Sequence, residues 1–468
     1  MPKAQKQVSM TDKKIPYEKI WKIIRSQGAR VHFIGAFGVS MRSLIKLTVG
    51  YNVAVSASDR TEDKACFAEL KSLGVDIHIG HDATLVDGAS LVVYSHAIHE
   101  DNPELARTRE LAIPAVTRAD YLGLLMKDYS NRIGVSGTHG KSTTTAMLDA
   151  IFTAAKTRPT VLSGSELPHG DTMREGERGV MIYEACEYKD SFLRFSPSIA
   201  IALNLELDHT DYFKDIFELR ESFRRAMSHA SSFALVNYDD ENLNKIIPEI
   251  KTKVVTFGQR VLADYRYVIT SFLPIGYEFD ILKHGNKLDS FVLNAPGIYN
   301  VTNATAAIVT AIEFGIDIET IKRAVASFSG IPRRLEYIGD YHQRPVYYDY
   351  AHHPTEIAAV INAVRILTHE SVTVVFKPHT YSRTKGLWEE FKHAFMLADH
   401  VILNDIYPAR EAPIADITSE RLAMEIGDTA IYCSDAECEY HVYNDTSGAI
   451  IIMGAGDMEY IRRVLIEH

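Results

Sequence analysis

A glycine-rich stretch, Gly134 to Ala146 (GVSGTHGKSTTTA), contains residue types that bind phosphate. It joins a strand-like run, RIGV, to a helical pattern, TTTAMLDAIF. Backbone N–H groups at a helix N-terminus, a long cation and a hydroxyl can hold a phosphate and its metal, and glycine allows the main chain to approach closely. The residues that supply these groups are Gly137, Gly140, Lys141 and Ser142. The stretch predicts a nucleotide site, although Val135 stands where the pattern G-x-x-x-x-G-K-[ST] has its first glycine.

Two acidic clusters follow strand-like runs near this loop. YEACEYKDSF contains Glu184 and Glu187, and LNLELDHTDYF contains four polar residues, Glu206, Asp208, His209 and Asp211. Carboxylates beyond the carboxyl end of a parallel strand, beside a phosphate loop, are placed to hold Mg²⁺ directly or through water. The alternative for both clusters is solvated surface charge.

Two polar stretches in the last third of the chain, YYDYAHHPTE and FKPHTYSRTKGLWEEF, also follow strand-like runs. His352 and His353 suggest a transition-metal pair, but sequence neighbours point in different directions and metal pairs usually have i, i+4 spacing. Substrate contacts or hydrogen-bonded structure are therefore favoured for the two histidines. Arg383 is a candidate clamp for a carboxylate or phosphate, against the alternative of a surface arginine.

The first strand-like run, RVHFIGAFGVSM, is similar to a dinucleotide fingerprint. In the G-x-G-x-x-G register its positions are Gly35, Phe37 and Ser40, so two glycines are missing and NAD or FAD is not expected. Asp59 nevertheless stands where an acid that binds ribose would be. A nucleotide held by one ribose and a looser diphosphate turn is compatible with this pattern.

These sites require parallel sheets to position them. Short apolar β-branched runs alternate with helical patterns, which predicts an α/β fold with both sheet faces covered. At 125–132 a helix ends in polar residues before a strand, and at 327–340 Gly330 and Pro332 break a helix. These two boundaries divide the chain into three domains, 1–130, 131–330 and 331–468. Residues 264–297 alternate and turn at 284–286, which predicts an antiparallel hairpin on the central domain.

Composition limits the partners and the compartment. The 468 residues carry 50 Lys plus Arg against 61 Asp plus Glu, a net charge of -11, so neither nucleic acid nor a membrane surface is expected as a partner. Four cysteines without a C-x-x-C pair predict a reducing compartment. The polar N-terminus and the lack of an apolar run near ~18 residues predict a cytoplasmic protein.

The order of the motifs resembles the Mur ligases, ATP-dependent amide-forming enzymes of peptidoglycan precursor synthesis. The resemblance extends over nearly the whole chain, and the family's phosphate loop reads G-T-x-G-K-[ST], which accounts for Val135. The resembling stretches are VHFIGAFGVSM, SASD, VVYSHAIHEDNPE, VSGTHGKSTTT, EACEYKDSF, NLELDHTDYF, PGIYNVTNATAA, PRRLE, DYAHHPTE, PHTYSRT, DIYPAREAPI and MGAGD.

The resemblance implies a three-domain fold with a role for each domain. The first domain, Rossmann-like, would bind a UDP-sugar; the central domain, a P-loop parallel sheet, would bind ATP; and the last, Rossmann-like, would bind an amino acid. The implied UDP-sugar residues are Gly35, Gly38, Ser58, Asp59 and Ser95. The implied ATP residues are Gly137, Thr138, Gly140, Lys141, Ser142, Thr143, Asn300, Asn303, Arg334 and Asp349. The implied ligands of a divalent metal, Mg²⁺ or Mn²⁺, are Ser142, Glu184 and His209. The implied catalytic residues are Lys141, Glu184, His209, His352 and Arg383.

The resemblance also indicates the branch of the family. The helix after the D-H-x-D motif, DIFELRESFRRA, lacks the lysine that other branches carbamylate, as in the branch that joins L-alanine to UDP-N-acetylmuramate. DYAHHP resembles the same branch, and Tyr350, His352 and Arg383 match positions near its amino acid. The alternatives are a recycling ligase that attaches a tripeptide to the same UDP-sugar and a non-catalytic binding protein. A monomer or weak homodimer is expected.

Overall fold

The computed structural model describes residues 16–466 apart from 211, 410 and 457. Asp211 of the second acidic cluster and the polar N-terminus, residues 1–15, therefore lie outside the described residues. The described chain forms three separate β-sheets flanked by helices, with five, ten and six strands in chain order. The predicted α/β fold is confirmed, while the boundaries at 130 and 330 stay predictions.

The first sheet is parallel throughout, in the order β3-β2-β1-β4-β5. Its strands are β1 (Arg30–Ile34), β2 (Ala54–Asp59), β3 (Asp76–Ile79), β4 (Leu91–Tyr94) and β5 (Ala115–Thr117). Its helices are α1 (Tyr17–Ile24), α2 (Val39–Val49), α3 (Lys64–Ser72), α4 (Pro103–Glu110) and α5 (Arg118–Leu125). Because the strands are parallel, the loops after β1, β2 and β4 meet at one edge of the sheet.

The central sheet has the order β15-β14-β13-β12-β11-β10-β6-β9-β7-β8. Its strands are β6 (Asn131–Ser136), β7 (Thr160–Leu162), β8 (Met173–Arg174), β9 (Val180–Glu184), β10 (Ile199–Ala202), β11 (Phe233–Asn237), β12 (Val254–Gly258), β13 (Tyr265–Leu273), β14 (Gly276–Lys283) and β15 (Asn286–Leu293). Its helices are α6 (Lys141–Ala154), α7 (Ile216–Ser228), α8 (Glu241–Ile246), α9 (Ile298–Phe314) and α10 (Ile318–Ala326). The predicted hairpin is confirmed as β14 and β15, and β13 adds a third antiparallel strand.

The last sheet has the order β16-β17-β21-β18-β19-β20, in which the edge strand β16 is antiparallel and the other pairs are parallel. Its strands are β16 (Glu336–Tyr341), β17 (Arg344–Asp349), β18 (Val372–Phe376), β19 (His400–Leu403), β20 (Ala430–Tyr432) and β21 (Ala449–Met453). Its helices are α11 (Pro354–Thr368), α12 (Tyr381–Gly386), α13 (Trp388–Ala394), α14 (Ser419–Ile426), α15 (Cys438–Asp445) and α16 (Glu459–Ile466).

The hydrophobic core joins the first two sheets. One continuous cluster includes Phe33 and Tyr121 from the first region and Phe195 and Phe223 from one face of the central sheet. The other face of the central sheet and the last sheet have cores of their own. No helix in the described part of the chain is long and apolar enough to span a bilayer.

Candidate active site

The predicted phosphate loop joins β6 to the N-terminus of α6. Gly137 has a φ of +148° and Gly140 a φ of +82°, which favour glycine over residues with a Cβ atom. A Cβ atom on Gly140 would lie 2.4 Å from Oδ1 of Asn303 on α9. The loop therefore packs directly against α9, and glycine is needed at this contact.

The Lys141 side chain folds back over the loop. Its Nζ donates to the carbonyl oxygens of Gly137 (2.5 Å) and Thr138 (3.1 Å) and lies 3.4 Å from the Glu187 carboxylate. Burial lowers the pKa of Lys141, but neighbouring anionic groups, Glu187 foremost, together outweigh burial and leave the pKa raised. The loop consequently holds a fixed positive charge, which suits a phosphate ligand.

The three predicted metal ligands lie in three different elements: a strand, a loop and a helix. Glu184 ends β9, and its carboxylate accepts a 2.6 Å hydrogen bond from the main-chain N–H of Gly164. His209 lies in the loop after β10, with Nε2 3.7 Å from Glu187. Ser142 is in the first turn of α6. Among the described residues no side-chain hydrogen bond or ion pair joins Ser142, Glu184 and His209, so their joint role stays a prediction.

The chemistry of this region nevertheless suits a hard divalent cation. Glu184, Glu187 and Asp208 all act electrostatically on Lys141, so three carboxylates lie around the head of the loop. Carboxylate and hydroxyl oxygens are the ligands that Mg²⁺ prefers. The residues present therefore fit the predicted metal, with His209 as a single nitrogen donor.

A cavity of about 260 Å³ lies between the central and last sheets, beside the phosphate loop. Of the residues predicted to bind ATP, those that line it are Gly140, Thr143, Asn303, Arg334 and Asp349. Asn300 lies behind Asn303 and accepts a 3.2 Å hydrogen bond from its side-chain amide. Residues from three distant parts of the sequence thus meet at one cavity.

Asp349 at the end of β17 forms one wall of this cavity. Its carboxylate accepts hydrogen bonds from the main-chain N–H groups of Leu335 and Ala351, both at 2.6 Å. Burial raises the pKa of Asp349 to about 6, against the opposing effects of Arg334 and these hydrogen bonds. The guanidinium of Arg334 lies 5.0 Å from the centre of the Tyr350 ring. A buried acid and a stacked arginine therefore lie side by side in the cavity.

The residues predicted near the amino acid lie at the interface between the central and last domains. Arg383 on α12 donates to both carboxylate oxygens of Asp208, at 3.1 and 3.2 Å, and to Nδ1 of His379 at 2.9 Å. Burial alone would raise the pKa of Asp208. Nearby positive charges, of which Arg383 has the largest effect, instead lower this pKa well below the usual range. Burial lowers the pKa of His352 to about 3, so this imidazole is neutral at neutral pH.

A further contact between these two domains was not predicted. His139 in the phosphate loop donates through Nδ1 to Glu356 (2.9 Å) and through Nε2 to Glu206 (3.2 Å), and the Thr355 hydroxyl donates to Glu206 at 2.7 Å. Burial lowers the pKa of His139, but Glu356 and Glu206 reverse this effect and raise the pKa to about 9. The phosphate loop is therefore tied to the N-terminus of α11 by charged groups.

In the first domain, the predicted UDP-sugar residues lie around the loop after β1. A Cβ atom on Gly35 would lie 3.7 Å from the Cβ atom of Ser95, so these two residues are adjacent. Asp59 accepts a 2.9 Å hydrogen bond from the main-chain N–H of Phe37, and Gly38 is the N-cap of α2. The loop after β1 is thus held by the acid at the end of β2.

Ser58 differs from the rest of this set. Its buried hydroxyl donates to both carboxylate oxygens of Glu104, at 2.8 and 2.9 Å. His32 and His81 also contact Glu104, each at 2.6 Å. Ser58 therefore belongs to a buried polar network, and its role toward a sugar nucleotide stays a prediction.

A larger cavity of about 970 Å³ lies between the first and central domains. Ser95 is the predicted UDP-sugar residue that lines it, and the basic residues in its wall are His96, His99, Arg118, Lys127, Lys189 and Arg194. Burial lowers the pKa of Arg118, which forms no salt bridge or side-chain hydrogen bond among the described residues. A partly buried guanidinium without a partner in a large cavity indicates a site for an anionic ligand.

Comparison with known proteins identifies the family. Sequence profiles of the Mur ligase family catalytic domain, the Mur ligase middle domain and the Mur ligase glutamate ligase domain match residues 30–130, 135–311 and 333–458. A UDP-N-acetylmuramate–L-alanine ligase of Caldicellulosiruptor bescii is 38% identical over 446 residues, 93% of this chain and 98% of that protein. The chain belongs to the Mur ligase family. The resemblance inferred from the motifs is confirmed.

Other Mur ligases are similar over comparable lengths. A UDP-N-acetylmuramate–L-alanine ligase of Acetivibrio thermocellus is 39% identical over 448 residues, 93% of this chain and 95% of that one. The crystal structure of UDP-N-acetylmuramate-alanine ligase from Thermotoga maritima superposes with a TM-score of 0.79 at 25% identity, over 94% of this chain and 98% of that one. A murein peptide ligase from Psychrobacter arcticus has a TM-score of 0.70 at 22% identity, over 94% and 98% of the two chains, which shows the same fold.

Within this Mur ligase, sequence reasoning missed two features of the site. His139 lies inside the quoted loop, but its partner Glu356 is 217 residues away, and no spacing rule links them. Arg118 directly follows β5 and is the first residue of α5. Its place at the carboxyl end of a strand is the signal in the sequence that could have indicated it. Its significance depends on the cavity, which the sequence does not reveal.

Proposed function

We propose that this Mur ligase joins L-alanine to UDP-N-acetylmuramate in an ATP-dependent amide ligation during peptidoglycan precursor synthesis. The observation that carries the proposal is that two cavities lie on either side of one phosphate loop. Gly140 lines the smaller cavity, and Cys186, which interacts electrostatically with Lys141, lines the larger. The names of the relatives at 38% and 39% identity support the choice of substrates.

The first step activates a carboxylate. A carboxylate resists attack by an amine because it is an anion and its oxygen leaves poorly. Attack of a carboxylate oxygen of the UDP-sugar on the γ-phosphorus of ATP forms an acyl phosphate and releases ADP. Lys141 would neutralise charge on the transferring group, since phosphoryl transfer depends mainly on positioning and electrostatics. A divalent metal held by Ser142, Glu184 and His209 would add positive charge there.

The second step forms the amide bond. The neutral amine of L-alanine attacks the acyl carbon, and inorganic phosphate leaves with the electrons of the C–O bond while the amine loses a proton. The amino acid would bind near Tyr350, His352 and Arg383. His352 is neutral, so it adds no positive charge against an approaching amine. The domain contacts through His139 and Arg383 keep this region close to the phosphate loop.

The UDP-sugar would occupy the larger cavity. Six basic side chains line it against two acidic ones, Glu100 and Asp120, which suits a diphosphate and a carboxylate. Arg118 is partly buried and has no ion pair among the described residues. A guanidinium forms charge-assisted, bidentate hydrogen bonds with such anions. Arg118 would therefore anchor the sugar nucleotide from the first domain.

An assay of phosphate release tests the proposal. Purified protein receives ATP, Mg²⁺ or Mn²⁺, UDP-N-acetylmuramate and one amine from L-alanine, glycine, L-serine and the tripeptide, and mass spectrometry identifies the product. We expect release with L-alanine and a product one alanyl residue heavier. Lys141→Ala should lower kcat about 100-fold or more, whereas Lys245→Ala, an exposed lysine on α8, serves as the matched control.

Two outcomes would contradict the proposal. Release with the tripeptide but not with L-alanine would assign the chain to amide ligation of a different amine. Full turnover by Lys141→Ala would show that the phosphate loop takes no part in catalysis.

A further inference from the structure

The interface between the central and last domains contains a cluster of nitrogen and oxygen ligands separate from the predicted magnesium site. His139, Glu206 and His353 each offer one ligand atom, and the three atoms lie within 4.8 Å of one another. Nε2 of His139 is 3.2 Å from Oε2 of Glu206, and Nδ1 of His353 is 3.6 Å from the same oxygen. None of the three belongs to the set Ser142, Glu184 and His209.

These separations match a tetrahedral metal centre. Zinc–nitrogen and zinc–oxygen bonds of about 2.0–2.2 Å place neighbouring ligand atoms about 3.4 Å apart. The two separations given above, 3.2 and 3.6 Å, lie on either side of this value. Two imidazoles and one carboxylate favour zinc and similar transition metals over Mg²⁺, which prefers oxygen ligands.

The surroundings of the cluster support metal binding. The other ring nitrogen of His139, Nδ1, is 2.9 Å from Oε1 of Glu356. A carboxylate on the far nitrogen of a histidine ligand fixes the ring and raises its basicity, as in many zinc sites. Thr355 donates to Glu206 at 2.7 Å and holds that carboxylate. The cluster therefore has its first ligands and the groups that orient them.

The hydrogen bonds of His353 are consistent with a metal ligand. The residue is 6% exposed, its Nε2 is buried without a hydrogen-bond partner among the described residues, and its Nδ1 accepts only a long bond of 3.3 Å from the main chain of Thr355. Nδ1, the nitrogen that faces Glu206, makes one weak hydrogen bond that a metal ion can replace, while Nε2 carries the ring proton.

We propose that His139, Glu206 and His353 form a site for a transition-metal ion such as Zn²⁺, which ties the phosphate loop to the last domain. The ion takes the place of the proton shared between His139 and Glu206. His139 and Glu206 also line the smaller cavity, so the fourth position faces that cavity and takes water or an anionic oxygen. The site uses His353 with residues of another domain rather than with its sequence neighbour His352.

Cobalt(II) is the probe that tests this proposal. The full-length protein, freed of metal by a chelator and kept in excess Mg²⁺ to occupy oxygen-rich sites, is titrated with Co²⁺ and followed by visible absorption. We expect one equivalent of Co²⁺ with the intense bands of a four-coordinate ion, displaced by Zn²⁺. Zn²⁺ should also raise the melting temperature, because its ligands come from two domains.

Variants separate the cluster from other sites. His353→Gln and Glu206→Gln should each weaken Co²⁺ binding more than 100-fold, and Glu356→Gln about 10–100-fold. His353→Cys keeps a ligand and should bind Co²⁺ with an added sulfur charge-transfer band. Glu184→Gln, at the predicted magnesium site, is the matched control and should bind Co²⁺ like the wild type.

The proposal is overturned in either of two cases. One is a wild-type protein that takes up no Co²⁺ in excess Mg²⁺. The other is binding by folded His353→Gln or Glu206→Gln that equals the wild type. Because the two variants alter different domains, a folding defect in one leaves the other to decide.

Discussion

Replacing Gly140 with alanine tests the packing of the phosphate loop against α9. Gly140 has a φ of +82°, and a Cβ atom there would lie 2.4 Å from Oδ1 of Asn303. Gly285 in the β14–β15 turn has a φ of +83° but no atom within 4 Å of its Cβ position. The two glycines have the same backbone conformation and differ in the contact, so Gly285→Ala is the matched control.

The size of the effect follows from two costs. Left-handed backbone costs alanine about 1 kcal/mol at either position. At Gly140 the added methyl also displaces Asn303, which is buried and hydrogen-bonded to Asn300 at 3.2 Å. Loss of a buried hydrogen bond costs about 1–3 kcal/mol. Gly285→Ala should therefore cost about 1 kcal/mol and Gly140→Ala about 2–4 kcal/mol.

Thermal melting and ATP titration measure both consequences. For a domain of about 200 residues, a change of 1 kcal/mol in the free energy of unfolding corresponds to about 2–4 °C in melting temperature. Because Gly140 and Asn303 both line the smaller cavity, where ATP is proposed to bind, Gly140→Ala should also weaken ATP binding about tenfold or more in calorimetry, a change of about 1.4 kcal/mol. Gly285→Ala should leave ATP affinity unchanged.

A third variant isolates the cause. In an Asn303→Ala background the clash is absent, so adding Gly140→Ala should cost only the backbone term of about 1 kcal/mol. Equal melting temperatures and equal ATP affinities for Gly140→Ala and Gly285→Ala would refute the reasoning. The loop would then not depend on its contact with α9.

Three other predictions concern charges. Arg383→Met or Asp208→Asn should each destabilise the protein by about 3 kcal/mol and the double variant by less than the sum, which a double-mutant cycle on melting curves would show; simple additivity would contradict the ion pair. Burial raises the pKa of Asp349 to about 6 in the folded protein, against 3.8 in the unfolded chain. The free energy of unfolding should therefore fall by about 3 kcal/mol as the pH rises from about 3.8 to 6, and should stay level above pH 6. A carboxyl NMR titration of Asp349 with a midpoint near 3.8 would disprove this. Arg118→Gln should weaken UDP-N-acetylmuramate binding about tenfold and leave ATP affinity unchanged in calorimetry, and an unaltered sugar-nucleotide affinity would exclude the proposed anchor.

Strands with a clear apolar run could be predicted from the sequence, and the shortest could not. LVVY and AIIIM are buried along most of their length, as the pattern of continuous apolar residues indicates. β7 and β8 have three and two residues, and β20 has three. A segment of two or three residues carries no periodicity, so the sheet that pairs it decides its conformation.

The site divides along the same line. Gly140 follows from local sequence because it lies at a strand-to-helix junction, whereas Thr143 came from the resemblance to a family. Asn303 and Asp349 came from the resemblance to a family, and the cavity they share depends on how two domains pack. Arg118 could not be found in this way, because the cavity that it lines forms between the first and central domains.

The charges around the smaller cavity bear on the proposal that ATP binds there. Glu206, Glu356 and Asp349 line the cavity together with Arg334 and His139, so acids outnumber bases in its wall. A triphosphate would meet net repulsion there if His139 were neutral. Because Glu356 and Glu206 raise the pKa of His139 to about 9, this residue carries a positive charge at neutral pH when no metal ion is bound to it. The acids that repel the phosphates thus also maintain the cation that attracts them, and the contact between the two domains and the charge offered to the nucleotide depend on the same two carboxylates.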